Sequence, residues 1–146
     1  IELDVVHHSQ YIDELINEKK IEPKPYLDED ITFHDPCYLG RHNGEYDAPR
    51  KVLQSVIKEG SIKEMEQSKS DSFCCGAGGG NMWYEIKTGE RINQHRVNQA
   101  VDTQSKTIAA ACNFCNIMLE DGVKTTGNEE NIRVVDIAEM VSKGLE

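Results

Sequence analysis

The sequence predicts an α/β layered fold with a small, mainly parallel sheet of about four strands and flanking helices, and three observations carry that reading. Short apolar runs of strand type alternate with segments of helical period, as a series of β-α-β units requires. The connections between them are short apart from one charged, proline-bearing stretch. At 146 residues, 38% hydrophobic and 29% charged, the chain can bury the core of one domain and has the composition of an ordinary folded protein.

Taken in order, "LDVVHH" (3–8) predicts a short strand, after which Tyr11, Ile12, Leu15 and Ile16 recur at helical spacing. "NEKKIEPKPYLDED" (17–30), with Pro23 and Pro25, predicts a connecting loop and the one internal sub-boundary. "ITFHD" predicts the next strand, ending near His34. Asp47 is placed to cap a helix that has Pro49 in its first turn, Val52, Leu53, Val56 and Ile57 on one face, and Gly60 at its end. "SIKEME" (61–66) is a further short strand.

"ERINQHRVNQAVDTQ" (90–104) predicts a helix with a thin apolar stripe, Ile92, Val97, Ala100 and Val101, whose Arg91, His95 and Arg96 read as a solvated face. "TIAAAC" predicts a buried strand, "NFCNIMLEDGV" a helix and "IRVVD" a last strand. Asp136 with Glu139 resembles a capping box opening the final helix, where Ile137, Met140, Val141 and Leu145 share a face. The expectation is one domain over residues 1–146. Because the chain opens on Ile1 rather than Met, it reads as an excised or processed piece of a longer protein.

Charge narrows the partners. Sixteen Lys and Arg against 26 Asp and Glu give a net charge of -10, which repels phosphate backbones and argues against nucleic acid. No apolar run approaches membrane-spanning length, and no secretory signal opens the sequence. Five cysteines cannot all pair with one another, so reducing cytoplasm and ligand or redox roles outrank a disulfide framework.

Those cysteines fall at strand ends. Cys37 follows one strand, Cys74 and Cys75 open the glycine loop "CCGAGGG", and Cys112 and Cys115 bracket a strand-to-helix turn. All are expected at the carboxyl ends of the strands, where open parallel sheets build their sites. The pair in "CNFC" can grip one metal or two atoms of a cluster, aided by the positive end of a helix. Neighbouring residues tend to point apart, so the vicinal Cys74 and Cys75 suit different irons of a cluster better than one tetrahedral ion. Gly76, Gly78, Gly79 and Gly80 allow backbone N–H groups to approach sulfur.

A nucleotide is the rival use of such a loop. Neither the P-loop pattern nor a complete G-x-G-x-x-G is present, because the last position falls on Asn81. A structural zinc site remains the serious alternative, although four ligands close it and leave one thiol over.

The spacing C-x36-CC-x36-C-x2-C, with "HDPCYLGRHNG", "CCGAGGG" and "DIAEMV", closely resembles the CCG cysteine-rich domain of the disulfide-reducing component of heterodisulfide reductases and its relatives. Those relatives include the iron-sulfur subunits of glycolate and lactate oxidation and iron-sulfur oxidoreductases linked to acyl-CoA dehydrogenases. The resemblance runs from about Val5 to Val141. It implies a [4Fe-4S] cluster of noncubane type with Cys37, Cys74, Cys75, Cys112 and Cys115 as ligands. It also implies an oxidoreductase role, with electrons passing from ferredoxin-type or flavin partners to a disulfide or another acceptor.

Location would be cytoplasmic, peripheral to a membrane complex through those partners. A fifth thiolate suggests a bridging or movable ligand, for which Cys74 and Cys75 are the candidates and hence the catalytic residues. His34, Arg41 and His42, around Cys37, are placed to offset cluster charge or move protons. Two departures stand out: one such motif where the disulfide-reducing component has two, and Asn113 where the family's final C-x-x-C often has proline. The first weakens heterodisulfide as the substrate. No ferredoxin-type C-x2-C-x2-C-x3-C is present, so a redox role needs a partner.

Overall fold

The structure, a computed structural model, describes residues 3–84 and 88–146. Its elements in order are α1 (His8–Asn17), β1 (Leu27–Asp28), β2 (Ile31–Phe33), α2 (Asp47–Val56), β3 (Ile57–Glu59), β4 (Ile62–Lys63), α3 (Ile92–Asp102), β5 (Thr107–Ala110), α4 (Asn113–Thr125), β6 (Arg133–Asp136) and α5 (Ile137–Gly144). Four strands form an all-parallel sheet in the order β4-β2-β5-β6, while β1 and β3 pair in parallel as a separate ribbon. This is the α/β class that the alternation predicts.

The two-residue period of the strands sorts their side chains between two cores. Ile31 and Phe33 of β2 and Ala109 of β5 face one core with Val52, Leu53 and Val56 of α2 and Ile137, Met140 and Val141 of α5. Ile108 and Ala110 face the other, with Val97 and Ala100 of α3 and Met118, Leu119 and Val123 of α4. Helices therefore cover both faces: α1, α2 and α5 on one, α3 and α4 on the other.

Strand order fixes where the site lies. From β2 the chain crosses to β4 on one side, then returns past β2 to β5 on the other. The order reverses between β2 and β5, so the crevice outside their carboxyl ends is a topological switch point. Cys37 follows β2, Cys112 follows β5, and the Cys74-Cys75 loop follows β4.

Three local expectations are corrected. "LDVVHH" is not a strand: 3–7 lack regular structure, and Val5, 92% exposed, has no sheet edge to bury it. His7 instead caps α1. Its Nδ1 accepts from the Ser9 backbone N–H, the Gln10 side chain accepts from the His7 N–H, and its ring Nε2 lies 3.1 Å from the Ala111 carbonyl, one residue before Cys112. Helix α2 ends at Val56, four residues before Gly60, because the chain turns extended into β3. Its exposed N–H groups are taken by Glu45 Oε1, which accepts from Asp47 and Ala48 at 2.9 and 2.8 Å, so the acceptor is Glu45 and not Asp47. For α5, Asp136 is the N-cap and accepts from the Ala138 N–H at 2.8 Å. Among the described residues, no helix is long and apolar enough to cross a membrane.

Candidate metal centre

Asp35, two residues past β2, organises the approach to the cysteines. Its buried carboxylate receives both terminal nitrogens of Arg50 from α2, at 2.8 and 2.9 Å, and the Lys69 backbone N–H at 2.8 Å. Arg50 also donates to Glu64 at 2.7 and 2.8 Å. The Ser72 hydroxyl donates to the Asp35 carbonyl, and Arg41 donates to the Ser72 carbonyl at 2.7 Å. The segment entering the Cys74-Cys75 loop is thereby tied to the segment carrying Cys37. A bidentate guanidinium fixes angle as well as distance.

Within that frame all five cysteines line one cavity of about 280 Å³, together with Tyr38, Ala77, Gly78, Gly80, Met82, Trp83 and Phe114. None is in a disulfide. Cys75 and Cys115 are buried, whereas Cys37, Cys74 and Cys112 are half-buried toward the mouth. The aromatic rim is open to solvent: Tyr38 is 75%, Trp83 81% and Phe114 55% exposed. A second cavity adjoins the first through Cys37 and Cys74 and is lined also by Arg41, His42 and Lys69.

Backbone donors converge on the sulfurs. The Gly76 N–H donates to Cys74 Sγ at 3.2 Å, and the Ala77 amide helps hold the Cys75 thiol below its usual pKa. Gly76 holds φ at +95°, a conformation that favours glycine, and a Cβ there would also crowd Ile92 and Met118 side-chain atoms at 3.3 Å. At the start of α4 the backbone amides of Phe114 and Cys115 favour the charged form of Cys112 without making a side-chain cap hydrogen bond to it. Gly78 and Gly80 line the main cavity and Gly79 the adjoining one.

The thiols consequently differ in acidity. Cys112 is drawn down to about 6, first by the Cys115 thiol donating to it and then, against burial, by those helix N-terminal amides. Cys75 is also pulled well below the usual thiol range by the thiols of Cys115 and Cys74, with His34 and the Ala77 amide adding to them against burial. Donation and burial push Cys115 and Cys74 up. The cavity is thus built to stabilise negative sulfur, which fits a thiolate-ligated metal group. The residues that could hold such a group are the five cysteines lining the cavity.

His34 and Arg96 stand behind this cluster. His34 is fully buried, and loss of solvent lowers its pKa; one of its ring nitrogens and the sulfurs of Cys75 and Cys115 all lie within 4.8 Å of one another. Arg96 is likewise buried; loss of solvent draws it down to about 10, so it keeps its charge at neutral pH. Sequence reasoning placed Arg96 on a solvated face and missed it. The signal was the polar run Asn93, Arg96 and Gln99 at a spacing of three, all buried alongside Val97 and Ala100. Arg91 pairs with Asp121 at 3.0 Å, and His95 packs edge-on against Phe73. Arg41 and His42 are exposed on the turn after Cys37.

Comparison with known proteins agrees with this arrangement. A family model described as "CCG: Cysteine-rich domain" matches residues 31–120, a span that holds all five cysteines. The chain is 42% identical over 142 residues, 97% of its length and 20% of the relative's, to the "Probable iron-sulfur-binding oxidoreductase FadF" of Bacillus subtilis. It is 41% identical over 150 residues, 98% of its length and 21% of the relative's, to the "EtfAB:quinone oxidoreductase" of Syntrophomonas wolfei. It is 38% identical over 142 residues, 97% of its length and 34% of the relative's, to one component of the dihydromethanophenazine:CoB--CoM heterodisulfide reductase of Methanosarcina barkeri. The chain spans between about a fifth and a third of these relatives. With its whole cysteine constellation inside the matched span and similarity along nearly its full length, the chain belongs to the CCG cysteine-rich domain family.

Proposed function

We propose that this chain is an iron-sulfur-binding module of a heterodisulfide-reductase-like oxidoreductase, passing electrons to a disulfide or another acceptor at a [4Fe-4S] centre held by Cys37, Cys74, Cys75, Cys112 and Cys115. The observation that carries the reading is the single cavity lined by all five sulfurs. Such a centre supplies single-electron transfer at a thiolate-rich site. The chain's own residues supply the rest: backbone N–H groups toward sulfur from Gly76 and Ala77, a helix N-terminus at Cys112, and an aromatic rim against which a partner can seat.

Its electron donors are ferredoxin-type or flavin domains, in the same polypeptide or another, and the module works in the cytoplasm or at a membrane complex through them. Similarity to electron-transferring relatives supports this. Reduction of a disulfide consumes two electrons and two protons and releases two thiols. Cys74 and Cys75 are the residues assigned to that chemistry. Cys74 has the better access, since it is half-buried and borders both cavities, whereas Cys75 is buried and lines only the main one.

Zinc is the second reading, favoured by the close set of His34, Cys75 and Cys115. The test compares serine variants of protein loaded anaerobically with iron and sulfide, with a one-electron dye as donor and a soluble disulfide as acceptor. Cys74→Ser and Cys75→Ser should lower turnover about tenfold or more per loaded centre. Cys112→Ser and Cys115→Ser should lose the iron. Unchanged turnover in loaded Cys74→Ser and Cys75→Ser protein would leave only electron carriage.

A further inference from the structure

Arg96 is the largest fully buried side chain in the described chain, yet none of the ion pairs among the described residues includes it. Its donors go to neutral partners: Nη1 to the Gln67 carbonyl at 2.7 Å and to Gln99 Oε1 at 2.6 Å, Nη2 to the Ser72 hydroxyl at 3.4 Å, and Nε to His34 Nδ1 at 3.0 Å. A guanidinium removed from water without a carboxylate is costly unless a negative group lies close by. The negative groups near it are the Asp35 carboxylate, already paired with Arg50, and, beyond His34, the cysteine cluster.

The His34 contact also decides a proton. Arginine has only donors, so Nδ1 must accept, and a neutral imidazole then carries its proton on Nε2. The polar atoms left near that ring are the sulfurs of Cys75 and Cys115, and of these Cys75 is the one that acts on His34. A metal-bound histidine shows the opposite arrangement, in which the nitrogen away from the metal donates to a carbonyl or carboxylate. His34 is therefore set as a donor to sulfur although its ring lies close enough to Cys75 and Cys115 to share a metal ion with them.

We propose that Arg96 and His34 form a buried relay of donors ending on the Cys75 sulfur, which keeps His34 off the metal and gives the centre a fixed positive charge that favours its reduced state. The inference rests on the iron-sulfur reading above. Hydrogen bonds to sulfur and nearby positive charge both raise the potential of such centres. His34 and Arg96 are positioning residues, since both act through Cys75.

The test is a potentiometric titration, followed by electron paramagnetic resonance, of the anaerobically loaded protein. Arg96→Gln should make reduction on the order of tenfold less favourable, a shift of about 59 mV to lower potential for a one-electron couple. His34→Asn should move it the same way, and the double variant should shift it less than the sum, because the two act in series. A loaded Arg96→Gln centre at the unmutated potential overturns the proposal, even if that variant is less stable. Should the variants not fold, unmutated protein labelled with 15N-histidine decides: weak magnetic coupling of the histidine nitrogen supports a donor to sulfur, and the strong coupling of a bound nitrogen overturns it. If the unmutated protein takes up only zinc, the iron-sulfur reading falls separately. X-ray absorption then decides the part of His34, an all-sulfur shell supporting the donor and a nitrogen in the shell overturning it.

Discussion

At the scale of single residues, the five thiols are not equivalent before any metal arrives. The Cys115 thiol and the amides at the start of α4 lower the Cys112 pKa to about 6, so it is an anion at neutral pH, whereas Cys74 and Cys115 are held protonated. Alkylation of metal-free, reduced protein by iodoacetamide should therefore begin at Cys112. Because its pKa is lowered, its rate should rise through about pH 6 rather than near the ordinary thiol value of about 8.5. Mass spectrometry of peptides quenched at short times measures this, and first labelling at Cys74 would contradict it. The convergence of the cysteines was legible from their placement, since the carboxyl ends of neighbouring parallel strands lie together at one end of the sheet. Arg96 was not, because a charged residue on a weakly amphipathic helix looks solvated until its buried acceptors are known.

At the scale of elements, the site depends on the loops after β2 and β4 being fastened together, and Asp35 is the fastening. Arg50→Met should leave that carboxylate buried without its ion-pair partner and cost about 3–5 kcal/mol of stability, read from the denaturant midpoint. A loss below about 1 kcal/mol would put the pair among the weak surface bridges. Gly76→Ala must adopt a left-handed backbone and crowd Ile92 and Met118; it should cost roughly 1–2 kcal/mol and lower iron uptake, which thermal unfolding and iron content would check. Helix positions and the parallel class could be read from apolar periodicity. Strands of two to four residues carry too little pattern to bound. The alternation in Leu3–Val6 misled because those side chains are exposed, and β1 and β3 were hidden in charged stretches whose pairing depends on tertiary contact.

Across the whole molecule, the reversal of strand order between β2 and β5 gathers three loops at one end of the sheet, and the cysteines occupy all three. The aromatic rim of Tyr38, Trp83 and Phe114 opens there, on a chain whose net charge is -10. A redox partner approaching this end should present a basic or apolar face, and its association should weaken with salt to the extent that charge steers it. Everything above depends on what the five sulfurs hold. The most direct measurement is anaerobic purification with iron, acid-labile sulfide and zinc counted on the same sample. The account predicts about four irons and four sulfides per chain with little zinc; one zinc per chain without sulfide would contradict it.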